Sequence, residues 1–573
     1  MLTHSASIRA LGVLITILAG SSALADGSAA LERGLKPSAT QDIVFAVREP
    51  GKDGHWYANF GYYAADTKRC AYGKGGRLCR LSLETGELKP LLSDPEGSVR
   101  DPHVHYDGER ILFSYRKGGS GSYHLHEIRA DGSGLRQLTD GPYDDIEPVY
   151  LPDGDIVFCS SRANRWVNCW LTKVATLHRA DGDGKSIRAI SSNGEHDNTP
   201  WVLSDGRLLY TRWEYVDRSQ VHYHHLWTAF PDGTSQMVFY GNQQPGITMI
   251  DAKPVPGTRQ VVAIFSPGHG LREHAGAVTV LDPRAGPDDR GSARPVHPAQ
   301  NFRDPWPLAE DLFLVARGAE ILLMNGRGET QTLYTLPEED RRKGLECHEP
   351  CPLRPRPREP AIPDRTAASQ ETGQMILTNV YEGRNMKGVR PGEIKRLLVL
   401  ETLPKPINFT GGMEPLSYGG TFTLERILGT VPVEEDGSAY FRVPARTPIS
   451  IQPLDGGGQA LALMRSWLTA MPGETVACVG CHDRRNLAPP NRPPASLRRR
   501  PSEIRPWHGP ARGFSFRREV QPVLDRYCVG CHGGAPGAAP PDLHVEEGVF
   551  VVYAHGNPEG KTVRGSPRED LLG

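Results

Sequence analysis

The sequence predicts a mainly β chain: a long run of repeated short strands, a β-rich middle domain and a small α-helical C-terminal domain. Three observations carry that prediction. Turn formers are abundant, with 63 Gly and 49 Pro in 573 residues, which suits short strands and tight turns better than long helices. Asp-Gly pairs recur at intervals of about 50 residues over the first two-thirds of the chain. Near the C-terminus, one stretch with helical spacing runs into the pentapeptide Cys528-Val-Gly-Cys531-His532. With 38% hydrophobic residues and a formal net charge of -1, the chain is globular and offers no basic surface for a nucleic acid.

Residues 1–25 read as a signal peptide: a short basic region to Arg9, an apolar stretch from Ala10 to Gly20, and the Ala23-Leu24-Ala25 cleavage pattern. The apolar stretch is too short to cross about 30 Å of hydrocarbon, and no later segment is long enough. An exported, periplasmic protein with no membrane span in the mature chain is the expectation.

The repeat occupies residues 40–404. Pro102, Pro148 and Pro200 each precede an Asp-Gly pair (Asp107-Gly108, Asp153-Gly154, Asp205-Gly206), and an apolar strand follows each pair, as in Ile111-Leu-Phe-Ser114. A second Asp-Gly closes each unit, at Asp131-Gly132, Asp181-Gly182 and Asp232-Gly233. Weaker copies lie at Ile43, Val261, Leu312 and Met375. Strand-rich units of this size with hairpin turns predict a six- or seven-bladed β-propeller. Residues 405–487 hold three further strand-like runs around Asp436-Gly437 and predict a β-rich middle domain. Residues 488–514 are Pro- and Arg-rich and predict an exposed linker. Residues 515–573 then form a cytochrome c-like domain whose helix presents Phe516, Val520, Val523, Leu524 and Tyr527; without a closing helix, a truncated domain is the expectation.

The chemistry rests on two pentapeptides, Cys478-Val-Gly-Cys481-His482 and Cys528-Val-Gly-Cys531-His532. In c-type cytochromes the two thiols bind the haem vinyl groups and the adjacent His binds iron, so two covalent c-type haems are expected. Met471, His508, His544 and His555 are the candidates for the distal ligands. The other six cysteines fall into close pairs, Cys70 with Cys79, Cys159 with Cys169, and Cys347 with Cys351, and disulfides are expected in an oxidising compartment. Cys347-His348-Glu349-Pro350-Cys351 leaves zinc open as the alternative to a disulfide-closed loop. The spaced pairs His103/His105, His124/His126 and His222/His224 read as polar edge residues of strands rather than metal ligands.

Longer motifs resemble a known family, the hydrazine synthase alpha subunit and its relatives. They are Gly429-Thr-Val-Pro-Val-Glu-Glu-Asp-Gly-Ser-Ala-Tyr-Phe441, Met464-Arg-Ser-Trp467 and Met471-Pro-Gly-Glu474 running into Cys478, with Tyr210-Thr-Arg-Trp-Glu214 and Glu519-Val-Gln-Pro-Val-Leu524 elsewhere. The resemblance implies a propeller, a middle domain with one c-type haem and a cytochrome-like domain with another. It also implies an active site at the middle-domain haem, where a Tyr four residues after the motif's His binds iron and zinc takes the His. Here that position is Asn486, so the resemblance implies His482 on the iron and a reaction other than hydrazine synthesis. The expected function is that of an exported dihaem c-type cytochrome that moves electrons, with redox catalysis at the middle-domain haem, served by a redox partner protein or other subunits. A nitrogen-compound oxidoreductase and a propeller-based binding protein with accessory haems are the alternatives; haem that binds CO or NO favours the first.

Overall fold

Asp-Gly turns reverse the chain at the predicted positions and convert each repeat into a four-stranded antiparallel unit, two of which are joined into one eight-stranded sheet. The computed structural model describes residues 40–63, 66–216, 218–219, 221–383, 386–404, 424–481, 492–513, 516–533, 537, 543–544, 549–554 and 557–564. The expected signal peptide, His482, Asn486 and His555 lie outside these residues.

Seven strands organise the repeat region: β1 (Asp42–Arg48), β2 (Ser98–Val104), β3 (Asp145–Tyr150), β4 (Asp197–Val202), β5 (Ile247–Pro254), β6 (Arg303–Ala309) and β7 (Glu346–Pro352). Strands β2, β3 and β6 each open a four-stranded sheet, β4 and β5 open the two four-stranded halves of an eight-stranded sheet joined by parallel pairing of Tyr223 and His224 with Ile247 and Thr248, and β7 opens the sheet that contains β1. Each opening strand packs against the next, β2 to β3 and onward to β7, which returns to β2. The series therefore closes on itself. The fastening is the antiparallel pairing of β7 with β1, from Ile43 opposite Pro352 to Arg48 opposite Glu346. Apolar faces of neighbouring sheets interleave: Phe45, Cys79, Leu314, Leu323 and Cys347 form one such seam, and Val157, Leu208 and Tyr210 another. Burying each large aliphatic side chain contributes roughly 1.5–3 kcal/mol.

The opening strands share a deformation. Each carries a register shift, and within it one non-glycine residue has positive φ: Asp101 (56°), Glu147 (54°), Thr199 (49°), Asp251 (56°), Asp304 (52°) and Glu349 (49°). In five of the six, proline follows. Such a conformation costs on the order of 1 kcal/mol or more per residue, so neighbouring contacts must enforce it. The contacts form a chain around the ring. Asp101 N–H donates to Glu349 Oε2 (3.2 Å), Glu147 N–H to Asp101 Oδ2 (3.0 Å), Thr199 N–H to Glu147 Oε2 (2.6 Å) and Asp251 N–H to Thr199 Oγ1 (3.1 Å). Glu349 N–H donates to Asp304 Oδ2 (2.9 Å). Among the described residues, Asp251 and Asp304 are the neighbours that no such bond joins.

Beyond β7 the chain runs without strands to β8 (Thr372–Asn379), the first strand of the middle domain. With β9 (Arg396–Leu403), β10 (Leu424–Pro432), β11 (Ala439–Pro444), β12 (Ile449–Leu454) and β13 (Thr475–Gly480) it builds two three-stranded sheets, ordered β11-β8-β13 and β10-β9-β12. Their apolar faces enclose one core that includes Met375, Leu397, Val399, Phe441 and Ile451. Met375 thus belongs to the middle domain, which starts before the expected boundary at residue 405, because β8 pairs with β11 and β13 rather than with the ring.

Three further expectations are corrected. The Pro/Arg-rich segment expected as an exposed linker over 488–514 is largely exposed where it is described, but it is anchored to the middle domain rather than free of it. Ser496 is fully buried, Arg499 pairs with Glu434 (2.7 Å), and Thr430 and Arg505 exchange backbone hydrogen bonds. The C-terminal domain is not wholly α-helical: a helix at Gln521–Tyr527 is followed by paired strands Val549–Ala554 and Asn557–Arg564. No disulfide joins any of the ten cysteines. Cys347 and Cys351 lie in one strand, where four residues span about 13 Å, twice the reach of a disulfide. Their side chains enter different apolar seams. Cys159 and Cys169 also lie in different clusters, and Cys70 is exposed where Cys79 is buried.

Replacing Thr199 with Val deletes the oxygen that receives the Asp251 N–H while keeping the branched shape. A loss of about 1–3 kcal/mol in urea unfolding is expected for Thr199→Val, and a smaller loss for Thr199→Ser, which keeps the hydroxyl. Equal losses in the two variants would mean that the bond contributes nothing.

Candidate functional site

The first Cys motif begins on β13, which runs parallel to β8 with Cys478 opposite Leu377. Cys481 follows in a turn, and its N–H donates to Glu382 O at 2.7 Å. The approach is so close that a Cβ at Gly383, where φ is 155°, would lie 1.4 Å from Cys481 O. Both thiols are partly buried against the middle-domain core, beside a cluster containing Met386, Ile394 and Phe441. This juxtaposition of two cysteines and an apolar wall fits a thioether-bound haem edge.

The second motif follows the helix Gln521–Tyr527. Cys528 N–H caps it on Leu524 O (2.8 Å), and the N–H groups of Cys531 and His532 turn back to Cys528 O at 3.1 and 2.9 Å. That turn brings both cysteines and the histidine around one point. Beside it, Val523 is 52% and Tyr527 69% exposed, an apolar surface of the kind a haem covers. Gln521 Nε2 holds Leu543 O at 2.8 Å, and Leu543 N–H returns to His532 O. His544 therefore sits near the motif: a Cβ at Gly533 would lie 2.9 Å from its Cε1. Of the other candidate distal ligands, Met471 is buried against Gly233 of the ring and His508 is exposed beside Trp507.

A third concentration of chemistry, which the sequence did not reveal, lies at the centre of the ring. A cavity of about 70 Å³ is lined by Asp101, Glu147, Asp251, Asp304 and Glu349, with His103, Lys253 and His274 around it. Arg48 is fully buried and divides its guanidinium between Glu273 (2.9 Å) and Glu349 (2.8 Å). Arg100 pairs with Asp101 (2.8 Å) and reaches Glu147, while Lys253 pairs with Asp251. Burial opposes the charge of Glu273, yet Arg48, Arg303 and the Gly51 N–H hold its carboxyl at about 2. Burial lifts Asp251 and Asp304 to about 6 against their cationic neighbours, and lifts Glu349 further, helped by Asp304 and Asp101.

At least one histidine of each pair is buried rather than at an edge, while His222 is exposed. His103 meets Trp201 edge-on at 4.9 Å, His126 packs on Tyr115 and His224 stacks on Trp213 at 4.9 Å, all three buried. Nor does the Cys347–Cys351 loop gather a zinc set: both thiols turn into apolar seams, while His348 joins Asp304 and Glu349 at the channel. The signal for the channel was an acidic residue before proline at the repeat interval: Asp101-Pro102, Glu147-Pro148, Asp304-Pro305 and Glu349-Pro350.

Fold and site together define a class of protein, a closed ring of β-sheet units joined to a β-rich domain that presents a Cys-x-x-Cys-His motif. The hydrazine synthase alpha subunit middle domain matches residues 392–483. Hydrazine synthase subunit alpha of Kuenenia stuttgartiensis is 32% identical over 116 residues, which are 20% of this chain and 13% of that protein. A solved chain of Kuenenia stuttgartiensis hydrazine synthase superposes with a TM-score of 0.75 and 19% identity, over 93% of this chain and 85% of that one. The likeness to the hydrazine synthase alpha subunit is one of sequence over the middle domain and one of fold over most of the chain.

The shared middle-domain motif has a physical role here. A Cβ at Gly429 would lie 2.2 Å from Arg505 O, Asp436 Oδ2 accepts the Ala495 N–H (2.7 Å) and Ser438 Oγ the Ser496 N–H (3.0 Å). The motif thus holds the segment that returns from Cys481. Gly429→Ala is expected to destabilise the protein by about 1–3 kcal/mol in thermal or urea unfolding, because the clash is with backbone. Glu273→Gln is expected to cost about 3 kcal/mol at neutral pH by leaving Arg48 half-paired. The stabilisation from Glu273 is complete above its ordinary value of 4.5 and is lost as pH falls towards about 2. The gap between wild type and variant should therefore narrow by about pH 3 in urea titrations.

Proposed function

We propose that the protein is an exported dihaem c-type cytochrome, a subunit of a larger redox assembly, with catalysis on a small nitrogen compound at the middle-domain haem. The observation that carries this reading is the pair of Cys-x-x-Cys-His motifs, one against an apolar core and one on an exposed apolar surface. In the same reading the six sheet units are the blades of a closed β-propeller that serves as the platform for the haem domains.

A c-type haem supplies one-electron exchange at iron, at a potential set by axial ligand and burial. Cys478 and Cys481 would anchor that group at the edge of the middle-domain core, beside apolar side chains that would keep water from it. His482, next in sequence, would supply an imidazole to its iron. Cys528, Cys531 and His532 would perform the same tasks at the end of a short helix, with His544 within reach as a second imidazole. The exposure of Val523 and Tyr527 supports approach of a redox partner to the second motif. No helix among the described residues is long and apolar enough to cross a membrane.

Asn486 replaces the Tyr expected from the family resemblance, and a neutral carboxamide is a weak iron donor. Imidazole-type rather than phenolate-type spectra, and no hydrazine from nitric oxide and ammonium, are expected. Expression in a host that matures c-type cytochromes tests the whole reading. The wild type should carry two covalent haems by mass spectrometry, and Cys478→Ala/Cys481→Ala and Cys528→Ala/Cys531→Ala should each carry one. Haem that extracts into acid acetone, or no haem at all, would refute the reading; CO binding at the haem lost with Cys478 and Cys481 would support catalysis there.

A further inference from the structure

We propose that the centre of the ring is a binding site for one divalent cation, held by Asp304, His348 and Glu349 with Asp251 completing the set. One ligand atom from each of Asp304, His348 and Glu349 lies within 4.8 Å of the others. His348 is fully buried, and neither of its ring nitrogens has a hydrogen-bond partner, although Nδ1 lies 3.5 Å from Glu273 Oε2. A buried imidazole with two unsatisfied nitrogens is costly, of the order of 1–3 kcal/mol for each lost partner, and coordination to a metal removes that cost. Asp251 Oδ2 is a second buried atom without a partner, and it belongs to the residue that faces Asp304 across the one break in the hydrogen-bonded ring.

Charge points the same way. Five carboxylates line the cavity (Asp101, Glu147, Asp251, Asp304 and Glu349) and Glu273 lies beside Arg48, against the cations Arg48, Arg100, Lys253 and Arg303, the last shared with Glu346. A divalent cation beside Asp251 and Asp304 offsets that excess. Two or three carboxylates with one imidazole form a hard, mixed oxygen–nitrogen set suited to Mn²⁺, with Ca²⁺ and Zn²⁺ as competitors. The cation would link β5, β6 and β7 where no direct hydrogen bond joins Asp251 to Asp304, and so complete the ring. This inference stands apart from the haem chemistry.

The test uses chelator-treated, full-length protein titrated with Mn²⁺, with free Mn²⁺ followed by EPR and thermal unfolding recorded in parallel. Wild type is expected to take up one equivalent and to gain thermal stability with it. Asp304→Asn and Asp251→Asn should each weaken that uptake about tenfold or more and abolish the stabilisation. Glu96→Gln, on the surface, should behave as wild type. The inference is overturned if wild type takes up no Mn²⁺ in the millimolar range, or if Asp251→Asn, folded by circular dichroism, binds as tightly as wild type. Should Asp304→Asn fail to fold, Asp251→Asn and the stabilisation of wild type by Mn²⁺ decide the question.

Discussion

The structure depends on a hydrogen-bonded circuit in which the carboxylate or hydroxyl of one opening strand receives the backbone N–H of the next. Each link requires its donor residue to leave the strand conformation, and Asp101, Glu147, Thr199, Asp251 and Glu349 all do so with φ near +50°. The strain alone would unravel an isolated sheet. It persists because the acceptor is charged in four of the five links, and such bonds are roughly twice as strong as neutral ones. The circuit adds to the apolar seams and backbone contacts through which neighbouring sheets also meet. Apolar packing tolerates a slip of register; a bond from Thr199 N–H to Glu147 at 2.6 Å does not.

The same circuit creates the electrostatic problem at the centre of the molecule. Carboxylates brought together to accept backbone amides also repel one another, and burial denies them water. Arg48 and Arg100 answer part of this, each buried and each divided between two acids. Arg48 is drawn from β1 and its acids from Glu273 and Glu349, more than two hundred residues away in sequence. The strand that fastens the ring is therefore also the strand that supplies its central counter-charge. Closure and charge balance are one constraint.

The periodicity of the sheets was legible in the sequence because Asp-Gly turns act locally: their backbone demands are met within four residues. The two Cys-x-x-Cys-His motifs were legible for the same reason, as Cys478, Cys481, Cys528 and Cys531 are defined by spacing alone. Features that depend on long-range partners were not. Nothing in Arg499 or Ser496 announces Glu434 or Ser438, so a Pro- and Arg-rich segment with the composition of a linker proved to be anchored to the middle domain. Cys347 and Cys351 are near in sequence but extended in space, and spacing without secondary structure misled. The acid-proline dipeptides fall between these cases. The prolines marked the repeat, but the role of the preceding residue emerges only when six strands meet around one axis.

That Asp251 is followed by Ala252 rather than proline fits this account. The fifth strand places Lys253 two residues further on, where its ammonium pairs with Asp251, and the circuit fails between Asp251 and Asp304. A carboxylate that has taken a lysine at one oxygen keeps the other, Oδ2, turned from any donor. Five strands use proline and a passed hydrogen bond; the remaining one uses a local ion pair and leaves an oxygen over. The irregular strand thus stands beside Asp304 and His348, and the departure from the repeat coincides with the only described group of metal-ligating side chains. A repeat architecture gains a site of its own by such a departure, since a perfectly regular ring would satisfy every acceptor and leave none for a ligand.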